Sequence, residues 1–407
     1  MNRPPRPLFE RRRSAAGSPD RTLSVRGRFG PLSSRSVCAL LCSLLACALP
    51  AVAQNGGDRG GDRDDVTMSV EDYEPISTLR APQHPITRAR FPFVDVHAHL
   101  RAVDEADVDR LVREMDAMNM AVAVNLSGGS GERFRQIYEA TAGRYPGRFV
   151  QFANVDFRGI DEPGWTERAV RQLEEDVKAG ASGLKVFKNL GMFTVDSQGN
   201  RVRTDDPRID PVWAKCGELG IPVLIHTGEP SPFWSAWDEH NERWLELKQY
   251  PNRRRDDAAR FASFDQTMEE QWNVFRKHSG TRFISAHLSW LGNDLERLGR
   301  LLDEIPNMYT ELGAVIAEIG RQPRQAREFL TKYQDRVLMG KDSWEPSEYH
   351  VYFRIFETAD EYFDYYRKRH AHWKMYGLDL PVEVLRKIYY ENALAIIPGI
   401  DRSLFER

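Results

Sequence analysis

The ten residues FPFVDVHAHL, Phe91 to Leu100, carry two messages in one stretch. Phe93, Val94 and Val96 make a short apolar, β-branched run of strand type. His97 and His99 close it at positions i and i+2, a spacing that turns both side chains to one face of an extended chain. Taken alone, such a pair is more often made of surface or core histidines than of metal ligands.

Outward from this run the same strand pattern recurs. MAVAVNL, RFVQFANV, SGLKVF, IPVLIH, TRFISAH, NMYTELG and RVLMG begin near Met120, Arg148, Ser182, Ile221, Thr281, Asn307 and Arg336. Most of the gaps hold a segment of helical period. Val108, Leu111, Val112, Met115 and Met118 follow it, as do Leu295, Leu298, Leu302 and Ile305, and then Ala326, Phe329, Leu330 and Tyr333. PVEVLRKIYYENALAIIPG is expected to be one last helix, ended by Pro398-Gly399. A doubly wound sheet alternates in the same way, but eight successive strand-helix repeats favour a parallel (β/α)8 TIM barrel, a single catalytic domain over residues 91–400. Two connections are long: about 50 residues separate IPVLIHTGEP from TRFISAH, and HVYFRIFETADEYFDYYRKRHAHW follows KDSW. These inserts after strands 5 and 8 are expected to wall a substrate pocket or to make an oligomer contact.

In a barrel the C-terminal strand ends form the catalytic mouth. His226 ends VLIH, His287 ends FISAH, Asp342 follows VLMG, and Lys185 lies in GLKVF. Metal-competent residues at the same end of five strands, His97 and His99 included, are hard to explain as packing. They point to a metal site.

Composition narrows the rest. The 407 residues carry a formal charge of -3, but residues 1–53 hold nine arginines against two acidic residues. The remainder therefore carries -10, which argues against a general nucleic-acid role. Of four cysteines, Cys38, Cys42 and Cys47 lie in one N-terminal apolar run and only Cys216 lies in the body, so the body has neither an internal disulfide nor a cysteine zinc framework. Any metal there is held by histidine and carboxylate. The run VCALLCSLLACALPAVA, Val37 to Ala53, has the length of a signal-peptide core with its cleavage region, and Ala51-Val52-Ala53 has the small-x-small pattern. A secreted or periplasmic protein cleaved near Ala53 is expected. The alternatives are an uncleaved membrane anchor or a lipid anchor at Cys47, and the long basic region before the run suggests a true start further downstream. Residues 54–90 then form a linker and N-terminal extension, whose Gly/Asp/Arg-rich opening cannot bury enough apolar surface to fold.

FVDVHAHL, GLKVF, VLIHTGEP, FISAHLSW, VLMGKDSW and LRKIYYENA, taken together, resemble the amidohydrolase superfamily over roughly residues 91–400, in its amidohydrolase-related branch of metal-dependent hydrolases and non-oxidative decarboxylases. The resemblance implies that His97, His99 and Asp342 bind a first divalent ion, with zinc the expected metal. His226 would complete that site or bind a second ion. His287 would bind a second ion, or act as an acid or substrate orienter if there is one. Lys185 stands where some members carry a carboxylated lysine bridging two ions; the other readings are a substrate-binding ammonium or an ion pair beside Asp342. Asp342 would take a proton from attacking water and return it to the leaving group.

The preferred expectation is hydrolysis of an amide, lactone or ester of a small molecule, and the alternative is decarboxylation of an aromatic or unsaturated acid. A non-catalytic ligand-binding barrel is a third reading. Glu229, Glu311, Trp290 and Trp344 are candidate substrate contacts, each with a packing or ligand-orienting role as its alternative. Lys188 is a weaker candidate than Lys185. Arg253, Arg254 and Arg255 read as a solvated loop, with attraction of an anionic substrate as the alternative, and His240, His278, His350, His370 and His372 read as non-ligands.

Overall fold

The computed structural model describes residues 67–101 and 104–406. The expected signal peptide, residues 1–53, and the start of the linker lie outside the described residues. Eight strands appear: β1 (Phe93–Ala98), β2 (Met120–Asn125), β3 (Phe149–Asn154), β4 (Ala181–Val186), β5 (Val223–Ile225), β6 (Phe283–Ser285), β7 (Met308–Glu311) and β8 (Val337–Leu338). Each falls on a run read from the sequence. They pair in parallel in the order β1 to β8. The seam between β8 and β1 is held by the Val96 N–H on Met339 O at 2.9 Å and the Asp342 N–H on His97 O at 2.7 Å. The architecture is a (β/α)8 barrel, and every residue of β1 is buried, as a strand covered on both faces requires.

The helices bury the faces their periodicity predicts. In Glu105–Met118 those are Val108, Leu111, Val112, Met115 and Met118, with Asp104 capping the start by accepting from the Asp107 N–H. Leu295–Glu304 buries Leu298, Leu301 and Leu302, and Asp294 caps it. Pro323–Lys332 buries Ala326, Phe329 and Leu330. Cys216 is fully buried in the helix Asp210–Glu218. Among the described residues no helix is long and apolar enough to cross a membrane.

Two expectations are corrected. The last helix is not uniform: Val382–Arg386 and Asn392–Ile396 flank a π-turn at Lys387–Glu391. The wider turn frees a carbonyl, and Ile388 O accepts the Met339 N–H just past β8. Second, the opening of the insert after β8 is not loop. Pro346–Glu357 is a helix whose Tyr349, Tyr352, Phe353, Ile355 and Phe356 are buried, and Phe353 meets Phe93 of β1 at 5.4 Å between ring centroids. Only residues 358–381 are irregular. They meet the insert after β5 through Arg243, which donates to His370 O at 2.8 Å and to Glu318 Oε1 at 2.5 Å.

Candidate metal centre

Strand direction sets the centre. β1 delivers His97 and His99 to one face, and the chain leaving β8 turns at Asp342 with φ +83°, an unusual conformation for a non-glycine residue. That turn lets the Asp342 N–H reach His97 O and lays its Oδ1 3.8 Å from His97 Nε2 and 3.4 Å from His99 Nε2. One ligand atom from each of the three residues lies within 4.8 Å of the others, the spacing of donors around one ion.

The far ring nitrogens are held. His97 Nδ1 lies 2.9 Å from Glu311 Oε1, and His99 Nδ1 lies 2.9 Å from Ser127 Oγ. Glu311, at the end of β7, is fully buried and also accepts the His287 N–H at 2.7 Å and the Gly313 N–H at 2.5 Å. This sets its carboxylate against both histidine segments, where one oxygen holds His97 Nδ1 and the His287 N–H together. With Nδ1–H given to Glu311, His97 presents the Nε2 lone pair inward.

The other strand-end residues are close by. Lys185 Nζ is 3.4 Å from His97 Nε2. His287 gives Nδ1–H to Gly313 O at 2.7 Å, and its Nε2 is 3.2 Å from His226 Nδ1. His97, His287 and Glu311 form a second group of convergent donors. His226 and Lys185 each lie within 3.4 Å of a member of these groups. His226 Nε2 is buried without a hydrogen-bond partner, an orphaned lone pair of the kind a cation satisfies.

Electrostatics favour a cation too. Burial, with the Lys185 charge adding to it, holds His97 well below the ordinary histidine range and brings His99 to about 4. Burial and the neighbouring charged or titrating groups lower His226 as well, and burial lowers His287. Burial also brings Lys185 down to about 7. Burial would raise Asp342, but the histidines and Lys185 outweigh it and keep the carboxyl below its usual range. Neutral imidazoles facing an ionised carboxylate are the protonation states a divalent ion needs. The donor set therefore fits a divalent metal ion.

Trp290 comes back to the histidines because residues 287–290 all take positive φ, from +52° to +59°. Its ring lies 4.4 Å from His287 and 5.7 Å from His226. Trp344 turns outward instead, giving its indole N–H to Glu114 at 2.6 Å. Glu229 is buried and accepts from Lys188 at 2.7 Å and Arg255 at 3.1 Å. Arg255 thus corrects the solvated-loop reading: it is 5% exposed and paired, while Arg253 and Arg254 bond to Glu246 and Asp256.

Asp95 escaped notice in the sequence. Its Oδ1 accepts the backbone N–H of both His97 (2.9 Å) and Lys341 (3.2 Å), and its Oδ2 accepts from the Tyr349 hydroxyl at 2.6 Å. One buried carboxylate thereby ties the two ligand-bearing segments across the seam. The signal available was an acid two residues before the histidine pair, inside an otherwise apolar run.

A family model described as amidohydrolase matches residues 69–398. No curated protein matches. Among solved structures, an uncharacterized TIM-barrel protein from Bordetella bronchiseptica is 15% identical, with 76% of this chain and 99% of that one covered and a TM-score of 0.47. A dihydroxybenzoic acid decarboxylase from a Polaromonas species, with bound manganese, is 15% identical over 78% and 97%, with a TM-score of 0.48. A 4-oxalomesaconate hydratase from Rhodopseudomonas palustris is 13% identical over 77% and 97%, with a TM-score of 0.45.

Proposed function

The chain belongs to the amidohydrolase family, and from that premise we propose that it is a metal-dependent hydrolase of an amide, lactone or ester in a small molecule. The observation that carries this reading is the convergence of His97, His99 and Asp342 on one point at the barrel mouth. His97 and His99, with Asp342, would hold the first ion; zinc suits a set of imidazoles and a carboxylate. When bound, such an ion supplies Lewis acidity and a water acidic enough to be deprotonated near neutral pH.

The chain's own groups supply the rest. Asp342 is ionised and faces the centre, so Oδ1 is placed to accept a proton from the attacking water. The same carboxyl then returns that proton to the leaving nitrogen or oxygen, which makes Asp342 the general base and acid in turn. Glu311 and Ser127 keep His97 and His99 turned so that their Nε2 atoms stay directed inward. Trp290 covers His287 and His226 on one side and keeps water from that flank.

Lys185 decides the number of ions. Lowered by burial to about 7, it keeps a large neutral fraction at neutral pH, and the neutral amine is the form that takes up CO2 as a carbamate. Two ions per chain, falling on Lys185→Ala, assign it the bridging carbamate. A single ion that survives the change assigns it an ammonium role. We also propose that the enzyme works outside the cytoplasm, after removal of the apolar run ending at Ala53.

The test is a screen of lactones, esters and amides with the metal-loaded protein, alongside its metal content. Asp342→Asn is expected to cut kcat by about 10²- to 10⁴-fold. Unchanged metal content in His97→Ala/Asp342→Asn would sink the site. Release of CO2 from carboxylic acids, without hydrolysis of any library member, would replace the hydrolase by a decarboxylase.

A further inference from the structure

The helix that opens the insert after β8 reaches the centre through two phenols. In Pro346–Glu357 the buried side chains are Tyr349, Tyr352, Phe353, Ile355 and Phe356. Tyr349 and Tyr352 stand three residues apart, on one face of the helix. A buried hydroxyl is costly unless it is hydrogen-bonded, and phenylalanine fills nearly the same space, as Phe353 and Phe356 do. Both hydroxyls of this face find partners. Tyr349 donates at 2.6 Å to Asp95, the carboxylate that accepts the His97 N–H. Tyr352 accepts the Ala314 N–H at 3.1 Å.

The second contact bears on two histidines. The Ala314 N–H belongs to the same peptide group as the Gly313 carbonyl, and that carbonyl takes the His287 Nδ1–H at 2.7 Å. A trans peptide is planar, with its N–H and C=O pointing opposite ways. A hydroxyl that fixes the direction of the N–H therefore fixes that of the C=O. Hydrogen bonds in a chain also polarise one another, so an acceptor on the N–H makes the carbonyl a better acceptor for the imidazole. The turn itself needs holding. Ala314 takes φ +56°, unusual for a residue with a side chain, and a Cβ on Gly313 would lie 2.7 Å from Glu311 Oε2.

A carbonyl only accepts, so the Gly313 bond keeps the His287 proton on Nδ1 and leaves Nε2 as an acceptor. His226 Nδ1, 3.2 Å away, is then the donor of that contact. With its proton on Nδ1, His226 carries its lone pair on Nε2, the buried atom that has no hydrogen-bond partner. One line of bonds thus runs from the Tyr352 hydroxyl through a peptide and two imidazoles to the orphaned nitrogen.

We propose that Tyr352 is a positioning residue: through the Gly313–Ala314 peptide it fixes the ring tautomers of His287 and His226, and so presents the His226 Nε2 lone pair to a cation. The cation rests on the metal-dependent reading; the coupling of Tyr352 to the two rings does not.

The test uses protein labelled with nitrogen-15 in histidine, with the His287 ring signal identified by its loss in His287→Gln. Wild type is expected to show a protected His287 Nδ1–H. In Tyr352→Phe, which keeps the ring and removes the acceptor, that proton should exchange with water about tenfold faster, as for the loss of one hydrogen bond. Zinc affinity, by competition with a chelator, should fall about tenfold. Tyr389→Phe is the control for loss of packing. It removes another buried phenol bound to the same helix, at Glu357 Oε1 and 2.7 Å, and should leave the His287 proton and zinc affinity unchanged. The proposal is overturned if wild type lacks the protected ring proton, if Tyr352→Phe matches wild type in proton exchange or in zinc affinity, or if Tyr389→Phe alters them as much. A wild type that binds no zinc or other divalent ion defeats the metal-dependent hydrolase, while the ring-proton comparison still decides the coupling.

Discussion

Glu311 has two carboxylate oxygens and uses both to hold other groups. Oε1 takes His97 Nδ1 and the His287 N–H, and Oε2 takes the Gly313 N–H. Its surroundings leave no slack, since a Cβ at Gly340 would lie 2.1 Å from Oε2, so that position must stay glycine. Glu311→Gln keeps the shape but weakens the anionic acceptor that fixes the His97 tautomer. Metal affinity, measured by competition with a chelator, is expected to fall about 10- to 100-fold. At this scale the sequence shows His97, His99, His226, His287, Asp342 and Lys185, because each stands at or just past a strand end, where the barrel gathers side chains. It shows Glu311 by the same logic but not which way its carboxylate points. Asp95 shows only as an acid inside an apolar run, and its partners stay hidden, because only the meeting of β1 with the chain after β8 brings Lys341 and Tyr349 to it.

β8 is only Val337–Leu338, and much of its anchorage comes from the last helix. Ile388 O takes the Met339 N–H, and Asn392 Nδ2 donates at 2.7 Å both to Val337 O and to Gln334 O. Since Asp342 follows four residues after Leu338, this bracing also places a proposed metal ligand. Asn392→Ala leaves two carbonyls without that donor and is expected to cost about 1–3 kcal/mol, read by chemical denaturation. The eight strands were legible because each is a short apolar run between turns. The buried faces of the helices were legible for the same kind of reason, apolar residues recurring every three or four positions. The π-turn was not, because one widened turn barely disturbs that period. Nor was the left-handed turn at residues 287–290, where no glycine marks the positive φ values.

At the scale of the molecule the chain divides by charge and composition. A basic N-terminal stretch with an apolar run precedes an acidic body, and one compact unit begins at Met68. If the leader is removed on export, protein recovered from the medium or periplasm should begin at Gln54, which N-terminal sequencing checks; an intact leader there would point to an anchor instead. Within the body the two inserts were legible as long aromatic segments, but their mutual attachment through Arg243 depends on a backbone carbonyl, that of His370, 127 residues away. The buried helix Asp210–Glu218 has a practical consequence. If the N-terminal segment and its three cysteines are removed, Cys216 is the sole thiol left, fully enclosed, with burial pushing its ionisation far above neutral pH. Alkylation of the native protein can then proceed only through openings of the barrel wall, so a simple labelling rate becomes a gauge of how often this region breathes.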